Sequence, residues 1–142
     1  MELLNRSVSK EAMQSIFPSV GMIIVGWTFF ESSLDAWSAI AYHHHGGNEY
    51  TKNLPRQFAP KTKFLMECFE KSTSLSAFKS EAMSMIENAK HLAHFRDLVV
   101  HGVLSHFNPS DASFSFVKLK WTPDKKIHVV EEHRVLGAEL LR

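Results

Sequence analysis

The sequence predicts a mostly α-helical protein, an up-and-down helical bundle followed by a C-terminal β-hairpin. Apolar residues recur at helical spacing over residues 20–42 and again over residues 78–101. Side chains then alternate in character along residues 114–121 and, more loosely, along residues 127–135, with a Thr-Pro-Asp-Lys turn sequence between the two runs. A chain of 142 residues is expected to form one domain, with the bundle over about residues 9–107 and the hairpin over about residues 112–135.

Two helical segments are predicted before residue 43. Residues 9–17 predict a short helix that ends at Pro18 or leads into the next one. The helix over residues 20–42 is apolar on most sides, so we expect it to be buried on most sides, in the centre of the bundle or against a second subunit as well. The His-His-His-Gly-Gly-Asn run at residues 43–48 then ends the pattern.

Two further helices are predicted between residues 60 and 102. Pro60 suits the first turn of a helix that continues to about residue 71. Its inward face is predicted to carry Phe64, Leu65, Cys68 and Phe69, which makes Cys68 an inert core residue. Ser76 is a candidate N-cap for the long helix after it. We expect Gly102 to end the long helix in a left-handed conformation, unless the helix continues to Phe107. Residues 137–141 predict the opening of a further helix.

The composition excludes several classes of protein. A formal net charge of +1 is too small to indicate nucleic-acid binding through overall charge, so any such binding must come from a local patch. A single cysteine, Cys68, rules out an internal disulfide framework and suits a reducing compartment. No signal peptide is evident, and the apolar run at residues 20–30 is too short to span a bilayer. We therefore expect a cytoplasmic protein that makes no use of a membrane.

Chemistry is most strongly indicated where the long helix ends, at Arg96, Asp97 and His101. Arg96 falls in the middle of the apolar stripe of this helix, where a guanidinium group is costly unless something pairs with it. A histidine can move a proton to or from a hydroxyl near neutral pH, and a guanidinium can hold a phosphate as negative charge builds, so the pair suits phosphodiester cleavage. The structural alternative is that Arg96 pairs with Glu31 or Asp35 of the first helix. His101 would then serve only as a helix cap.

The six residues from Arg96 to His101, Arg-Asp-Leu-Val-Val-His, resemble the signature of the HEPN superfamily. That signature is an Arg, then usually Asn, Asp or His, a few further residues, and a His. The setting is also similar, because the motif lies late in a long helix and follows an earlier helix with an inward acid, here Glu31. The resemblance implies a helical bundle that forms a homodimer, with the motif helices facing each other across a cleft.

The resemblance also implies a function. Many members are metal-independent endoribonucleases of toxin–antitoxin, phage-defence and RNA-processing systems, which implies cleavage of single-stranded RNA by attack of its own 2′-hydroxyl. Arg96 would bind the scissile phosphate, His101 would be the acid or base, and Asp97 would orient one of them, with Glu31 in support. No cofactor is implied, and the implied partners are RNA, a second copy, and an antitoxin or a nucleotidyltransferase. Other members are non-catalytic interaction or nucleotide-binding modules, and Asp97, whose negative charge lies close to any bound phosphate, keeps that alternative open.

The remaining candidates each have an ordinary structural explanation. The basic stretch can track a phosphate backbone or can be a solvated loop; it comprises Lys52, Arg56, Lys61 and Lys63. The histidines of the long helix can supply metal ligands with Asp97, but a solvated face is the simpler interpretation and no metal is predicted; they are His91, His94 and His101. The hairpin lysines are expected to protect its edge from aggregation; they are Lys118, Lys120, Lys125 and Lys126.

Overall fold

A computed structural model describes residues 9–136, apart from the side chain of Ala12. The chain is mostly helical, with a three-stranded antiparallel sheet at its C-terminal end. The elements in order are α1 (Lys10–His44), a 3₁₀ turn (Gly47–Glu49), α2 (Phe58–Lys71), a 3₁₀ helix (Thr73–Phe78), α3 (Lys79–His101), β1 (Val103–Asn108), β2 (Ser113–Thr122) and β3 (Ile127–Leu136). The described residues form two compact units, which we call the helical unit (residues 26–92) and the sheet unit (residues 9–25 and 93–136).

Helix α1 is continuous, so residues 9–17 lead into the next helix, and the alternative in which a first helix ends at Pro18 is wrong. Pro18 lies inside Lys10–His44, where its ring removes the hydrogen bond to the Gln14 carbonyl, a change that costs about 3 kcal/mol in a helix interior. Packing offsets that cost: Ile16 is buried in the core of the sheet unit, and Val20 and Ile23 pack against the same core. Tertiary contacts therefore override the local helix-breaking signal.

The helical unit is built around one apolar core from all three helices and the 3₁₀ helix. Its buried members are Leu34, Ala41, Phe64, Leu65, Cys68, Leu75 and Ile86. The predicted inward face of α2 is confirmed by its three members in this list, and Pro60 lies in the first turn of α2 as predicted. Ser76 is not an N-cap, because it lies within the 3₁₀ helix and its hydroxyl donates to the Thr73 carbonyl oxygen 2.8 Å away.

Much of α1 is exposed, which contradicts its predicted burial on most sides within one chain. Trp27, Leu34 and Ala41 are buried, but Phe29 is 72% exposed and Trp37 58% exposed. The segment Met13–His44 is also long and apolar enough to cross a membrane by length and composition, although one such helix is weak evidence of a span. The sequence argument against a span considered only residues 20–30, and the continuous helix removes that argument.

Helix α3 passes into β1 through Gly102 alone. The Gly102 amide donates to the Leu98 carbonyl oxygen at 2.7 Å, and a Cβ atom at this position would overlap that oxygen and lie 3.3 Å from Cβ of Phe116. Glycine is therefore needed for close approach, and the predicted left-handed terminator is wrong because Gly102 does not have a positive φ. The predicted extension of the helix to Phe107 is also wrong, since that residue belongs to β1.

The sheet has the order β1-β2-β3, one strand more than the predicted hairpin. The hairpin itself is confirmed: β2 pairs antiparallel with β3 from Ser113↔Leu136 to Thr122↔Ile127, around a four-residue turn. The core of the sheet unit buries Ile16, Leu98, Phe114, Phe116 and Val135. The helix predicted to open at residues 137–141 lies outside the described residues.

Candidate functional site

The last two turns of α3 hold the candidate site within the sheet unit. Leu98 is buried in the core of this unit, and Phe95 and Val99 pack against that core, which fixes the helix against the sheet. Arg96 and Asp97 are half-buried beside these anchors, and His101 is the last residue of the helix. The anchoring residues therefore give three polar side chains a fixed position at the edge of a packed interface.

Arg96 has a guanidinium group that is left available. Within the described part of the sheet unit it forms no ion pair or hydrogen bond, and its charge lowers the pKa of the neighbouring Asp97. A guanidinium group presents several N–H donors in a planar fork that matches a phosphate, so Arg96 is a candidate anion-binding group. The structural alternative named Asp35 as a partner for Arg96, but the Asp35 carboxylate contacts the Lys61 ammonium group of the helical unit.

Asp97 is the most strongly paired member of the motif. Lys118 donates a short hydrogen bond from Nζ to Oδ2 of Asp97, and Nε2 of His101 lies 3.7 Å from Oδ1 of Asp97. The hydrogen bond from Lys118 lowers the pKa of Asp97 below its usual value; partial burial opposes this, and the positive charges of Lys118, His101 and Arg96 add to it. Asp97 is therefore a carboxylate at neutral pH, with its charge offset by Lys118.

His101 is open to solvent at the C-terminal end of α3. Its side chain is 56% exposed, and the 3.7 Å separation from Asp97 is longer than a hydrogen bond. The imidazole is therefore near the carboxylate but not held by it. An exposed imidazole at a helix end can reach a bound ligand and can exchange a proton with it.

Sequence reasoning missed Lys118, which had been assigned to edge protection. The side chains of β2 alternate, so Lys118 lies on the same face as Phe114 and Phe116, both of which are buried in the core that includes Leu98. This alternation was visible in the sequence and would have placed Lys118 on the inward face. The partner could not be read from the sequence, because it depends on β1 returning the chain alongside α3.

A second charged group lies next to Lys118 on the sheet. Glu131 of β3 is directly opposite Lys118, but its carboxylate pairs with Lys120 at 3.1 Å and with His133 at 3.6 Å. The hydrogen bond from Lys120 lowers the pKa of Glu131. The His133 ring also contacts His94 of α3, with ring centroids 5.6 Å apart. The sheet thus carries two neighbouring charged groups, Glu131 with Lys120 and His133, and Lys118, which pairs with Asp97 of the motif.

The other predicted site residues belong to the helical unit. Glu31 is half-buried on α1, and its role in the motif stays a prediction. In the basic stretch, Lys61 is only 3% exposed and contacts Asp35, so its ammonium group is not free for a phosphate. The other three, Lys52, Arg56 and Lys63, are exposed. RNA binding by this stretch stays a prediction, now carried by these three side chains.

Metal and thiol chemistry receive no support from the described residues. No group of three His, Cys, Asp or Glu side chains among them is placed to hold a metal ion, so the helix histidines do not assemble with Asp97 into a metal-binding cluster. Cys68 is fully buried, and burial raises the pKa of its thiol to about 11. At neutral pH it is therefore an unreactive core residue, as the sequence predicted.

An apolar groove opens on the helical unit. Its volume is about 380 Å³, and His45 and Ser74 form its polar end, with Nδ1 and Oγ 2.9 Å apart. The remaining lining residues are mostly apolar and come from all three helices and the 3₁₀ helix. Several of them are more than half exposed, namely Trp37, Phe78 and Met85. A groove with such rims is a surface that another apolar surface can cover.

No family model, curated protein or solved structure matches this chain.

Proposed function

We propose that this chain is a HEPN-like, metal-independent endoribonuclease that cleaves single-stranded RNA, with Arg96 and His101 as its reacting groups. The observation that carries the proposal is that Arg96, which has no ion pair or hydrogen bond within the described part of the sheet unit, lies on the same helix end as the exposed imidazole of His101, while the Asp97 carboxylate is paired with Lys118. Among the described residues, Arg96 can hold a phosphate, and His101, in the same two turns of α3, can transfer a proton.

The reaction assigned to these groups needs no water in its first step. The RNA 2′-hydroxyl attacks the adjacent phosphorus and loses its proton to a base, the bond to the 5′-oxygen breaks, and an acid protonates the departing oxygen. The products are a 2′,3′-cyclic phosphate and a free 5′-hydroxyl. Arg96 would stabilise the negative charge that builds on the phosphate oxygens, and His101 would supply the proton transfer. DNA would be inert, because it lacks the 2′-hydroxyl.

A second copy would complete the site. In-line displacement needs a proton acceptor and a proton donor on opposite sides of the phosphorus, and one chain supplies a single motif histidine. Helix α3 carries two exposed apolar residues seven positions apart, Met85 and Leu92, and Phe78 of the 3₁₀ helix precedes Met85 at the same spacing. A dimer in which the motif helices of two copies face each other would supply a second His101 to the phosphate.

The non-catalytic alternative is a nucleotide-binding or interaction module. The observation that favours it is that Nε2 of His101 lies 3.7 Å from Oδ1 of Asp97, so the imidazole faces a carboxylate of its own helix. In this alternative, RNA or a nucleotide binds at Arg96 and is not cleaved. The proposed setting in both cases is the cytoplasm, with a toxin or defence role in which an antitoxin or nucleotidyltransferase is the protein partner.

The test is cleavage of a mixed-sequence single-stranded RNA in excess EDTA. We expect the wild type to cleave it to products with cyclic-phosphate ends and to leave DNA of the same sequence intact. We expect His101→Ala and Arg96→Ala each to lower the rate by at least about 100-fold, the scale of one lost proton-transfer or charge-stabilising group.

The matched control is His106→Ala, which removes an exposed histidine of β1 in the same unit and should leave the rate unchanged. Equal cleavage by all four proteins would mean that the activity does not come from this site. Binding of the RNA by the wild type with no cleavage, lost in Arg96→Ala, would establish the non-catalytic module instead.

A further inference from the structure

Among the described residues of the sheet, Lys118 is the lysine that forms an ion pair with the motif helix. It follows Phe116 by two residues on the inward face of β2, and Phe116 is buried with Leu98 of α3. The packing of Phe116 against the same core as Leu98 places Lys118 beside the helical turn that carries Asp97. Its side chain is 31% exposed, so it lies along the packed interface and does not extend freely into solvent.

The neighbours of Lys118 leave it one partner. Glu131 is directly across the β2–β3 pair, which is the ordinary place for a cross-strand ion pair. That carboxylate is already paired with Lys120 and His133, at 3.1 Å and 3.6 Å. The Lys118 ammonium group instead contacts Oδ2 of Asp97. Lys118 and Lys120 lie on one face of the sheet and pair with different carboxylates. Lys120 pairs with Glu131 of the sheet, and Lys118 pairs with Asp97 of α3.

The contact changes what an anion would meet at the motif. Arg96 and Asp97 alone sum to zero charge, so the repulsion of a phosphate by the carboxylate would offset part of its attraction to the guanidinium group. With Lys118 on Oδ2, the local charge is +1 before His101 is counted. The hydrogen bond also turns one oxygen of Asp97 toward the sheet, so only Oδ1 remains near His101.

We propose that Lys118 is a positioning residue of the motif: it neutralises and anchors Asp97, so that Arg96 and His101 are left to the RNA phosphate. This inference rests on the proposed function, because it assigns Lys118 a role in that same site. It also explains how an aspartate at the second motif position is compatible with a bound phosphate.

The test is a cycle of four proteins: wild type, Lys118→Met, Asp97→Asn, and the double variant. The probe for binding is a mixed-sequence 2′-O-methyl RNA, which cannot be cleaved by its own 2′-oxygen, and the probe for cleavage is the unmodified RNA. We expect Lys118→Met to weaken binding and slow cleavage about 10-fold, the effect of one uncompensated charge near the phosphate. We expect the double variant to bind the 2′-O-methyl RNA within about 3-fold of the wild type, because it removes both charges of the pair.

Two single variants act as controls. Lys118→Arg keeps the charge and should retain binding within about 3-fold. Lys120→Met removes the neighbouring lysine, whose partner is Glu131, and should leave binding and cleavage nearly unchanged. A further readout is the pKa of Asp97 from the NMR titration of its carboxyl carbon, which should rise in Lys118→Met because its largest lowering contribution is lost. Thermal unfolding of each variant establishes that it is folded.

The outcomes separate this inference from the proposed function. A double variant that binds the RNA as weakly as Lys118→Met would show that Lys118 contacts the RNA directly, which would overturn the positioning role and leave the nuclease intact. A Lys118→Met variant that binds and cleaves like the wild type would also overturn the positioning role. A wild type that neither binds nor cleaves RNA would overturn the proposed function, and the role assigned to Lys118 would fail with it.

Discussion

At the level of single residues, the motif is governed by which charge each side chain meets. The Asp97 carboxylate lies near the charged groups of Lys118 and His101, and the Glu131 carboxylate lies near those of Lys120 and His133. Arg96 has no ion pair among the described residues of the sheet unit. Each pair is partly exposed, so none is expected to contribute much to stability. Their consequence is chemical: they decide which charges remain free for a ligand.

The pairing of Asp97 predicts a pH dependence of stability. The pKa of Asp97 in the folded protein lies below the ordinary value of 3.8. Its contribution is therefore fully present above about pH 4 and is lost as the pH falls through the folded-state pKa. We expect Asp97→Asn to lower the unfolding free energy at pH 7 by up to about 1 kcal/mol, the scale of a half-exposed pair.

The measurement is the thermal unfolding midpoint of wild type and Asp97→Asn from pH 7 to pH 2.5. The gap between them should close as the acid form of Asp97 becomes populated. Glu132→Gln is the control, because Glu132 is exposed on β3 and forms no ion pair in the described part of the chain. A gap that persisted undiminished at pH 2.5 would contradict the assigned pairing.

Residue types in the sequence singled out the groups proposed to react, but they did not identify the partners of those groups. Arg96, Asp97 and His101 could be selected from spacing and from the cost of a guanidinium group in an apolar stripe. The partner of Asp97 could not be selected in this way, because Lys118 is 21 residues away along the chain. The strand β1, which joins α3 to β2, was not predicted, so the position of Lys118 relative to α3 was not predicted either. Spacing along one helix gives neighbours on that helix and nothing about the sheet.

At the level of elements, the junction between α3 and β1 is the feature that local signals described least well. A Gly after a long helix ordinarily indicates a left-handed cap, yet Gly102 is required because the Leu98 carbonyl oxygen and Phe116 leave no room for a side chain. The helix pattern also continued smoothly into residues 103–107, which are apolar at both helical and strand spacing. Short apolar runs of this kind are ambiguous until the sheet is known.

Gly102→Ala is expected to destabilise the protein by about 1–3 kcal/mol, because the added methyl group overlaps backbone atoms that cannot move independently. The measurement is the midpoint of chemical denaturation. The matched control is Gly21→Ala in α1, where a Cβ meets nothing within 4 Å; that change should stabilise the helix by about 0.5–1 kcal/mol. Equal effects of the two substitutions would show that Gly102 is not constrained by close approach.

At the level of the whole molecule, the helical unit exposes several large apolar side chains. Trp37, Phe78 and Met85 are each more than half exposed and line one groove. An exposed apolar groove of this kind is a surface that a second copy can cover.

We therefore expect the wild type to sediment as a dimer at micromolar concentration. Met85→Glu places a charge on the exposed side chain in the groove of the helical unit and should shift the protein to monomer. Leu119→Glu is the matched control, because Leu119 of β2 is 60% exposed, close to the 62% of Met85, and lies in the sheet unit. A monomeric wild type, or a dimer that tolerates Met85→Glu, would contradict this interface.

The sequence predicted the helical character, the hairpin and the inward face of α2 because each depends on local periodicity. It did not predict the continuous α1 or its exposed side, because both depend on which surfaces are covered. Ile16, Val20 and Ile23 hold α1 together across Pro18 through contacts with residues more than 70 positions away. Periodicity shows that a face is apolar; it does not identify what lies against it.

The burial of Cys68 has a practical consequence for spectroscopy. The chain has one cysteine, it is fully buried, and burial raises the pKa of its thiol to about 11, so it resists thiol-directed reagents in the folded state. A cysteine introduced at Lys125, in the exposed turn between β2 and β3, would then carry the only label in an otherwise unmodified protein. Pulsed electron-spin measurements between two such labels would report the distance between protomers directly, with no need to remove the native thiol.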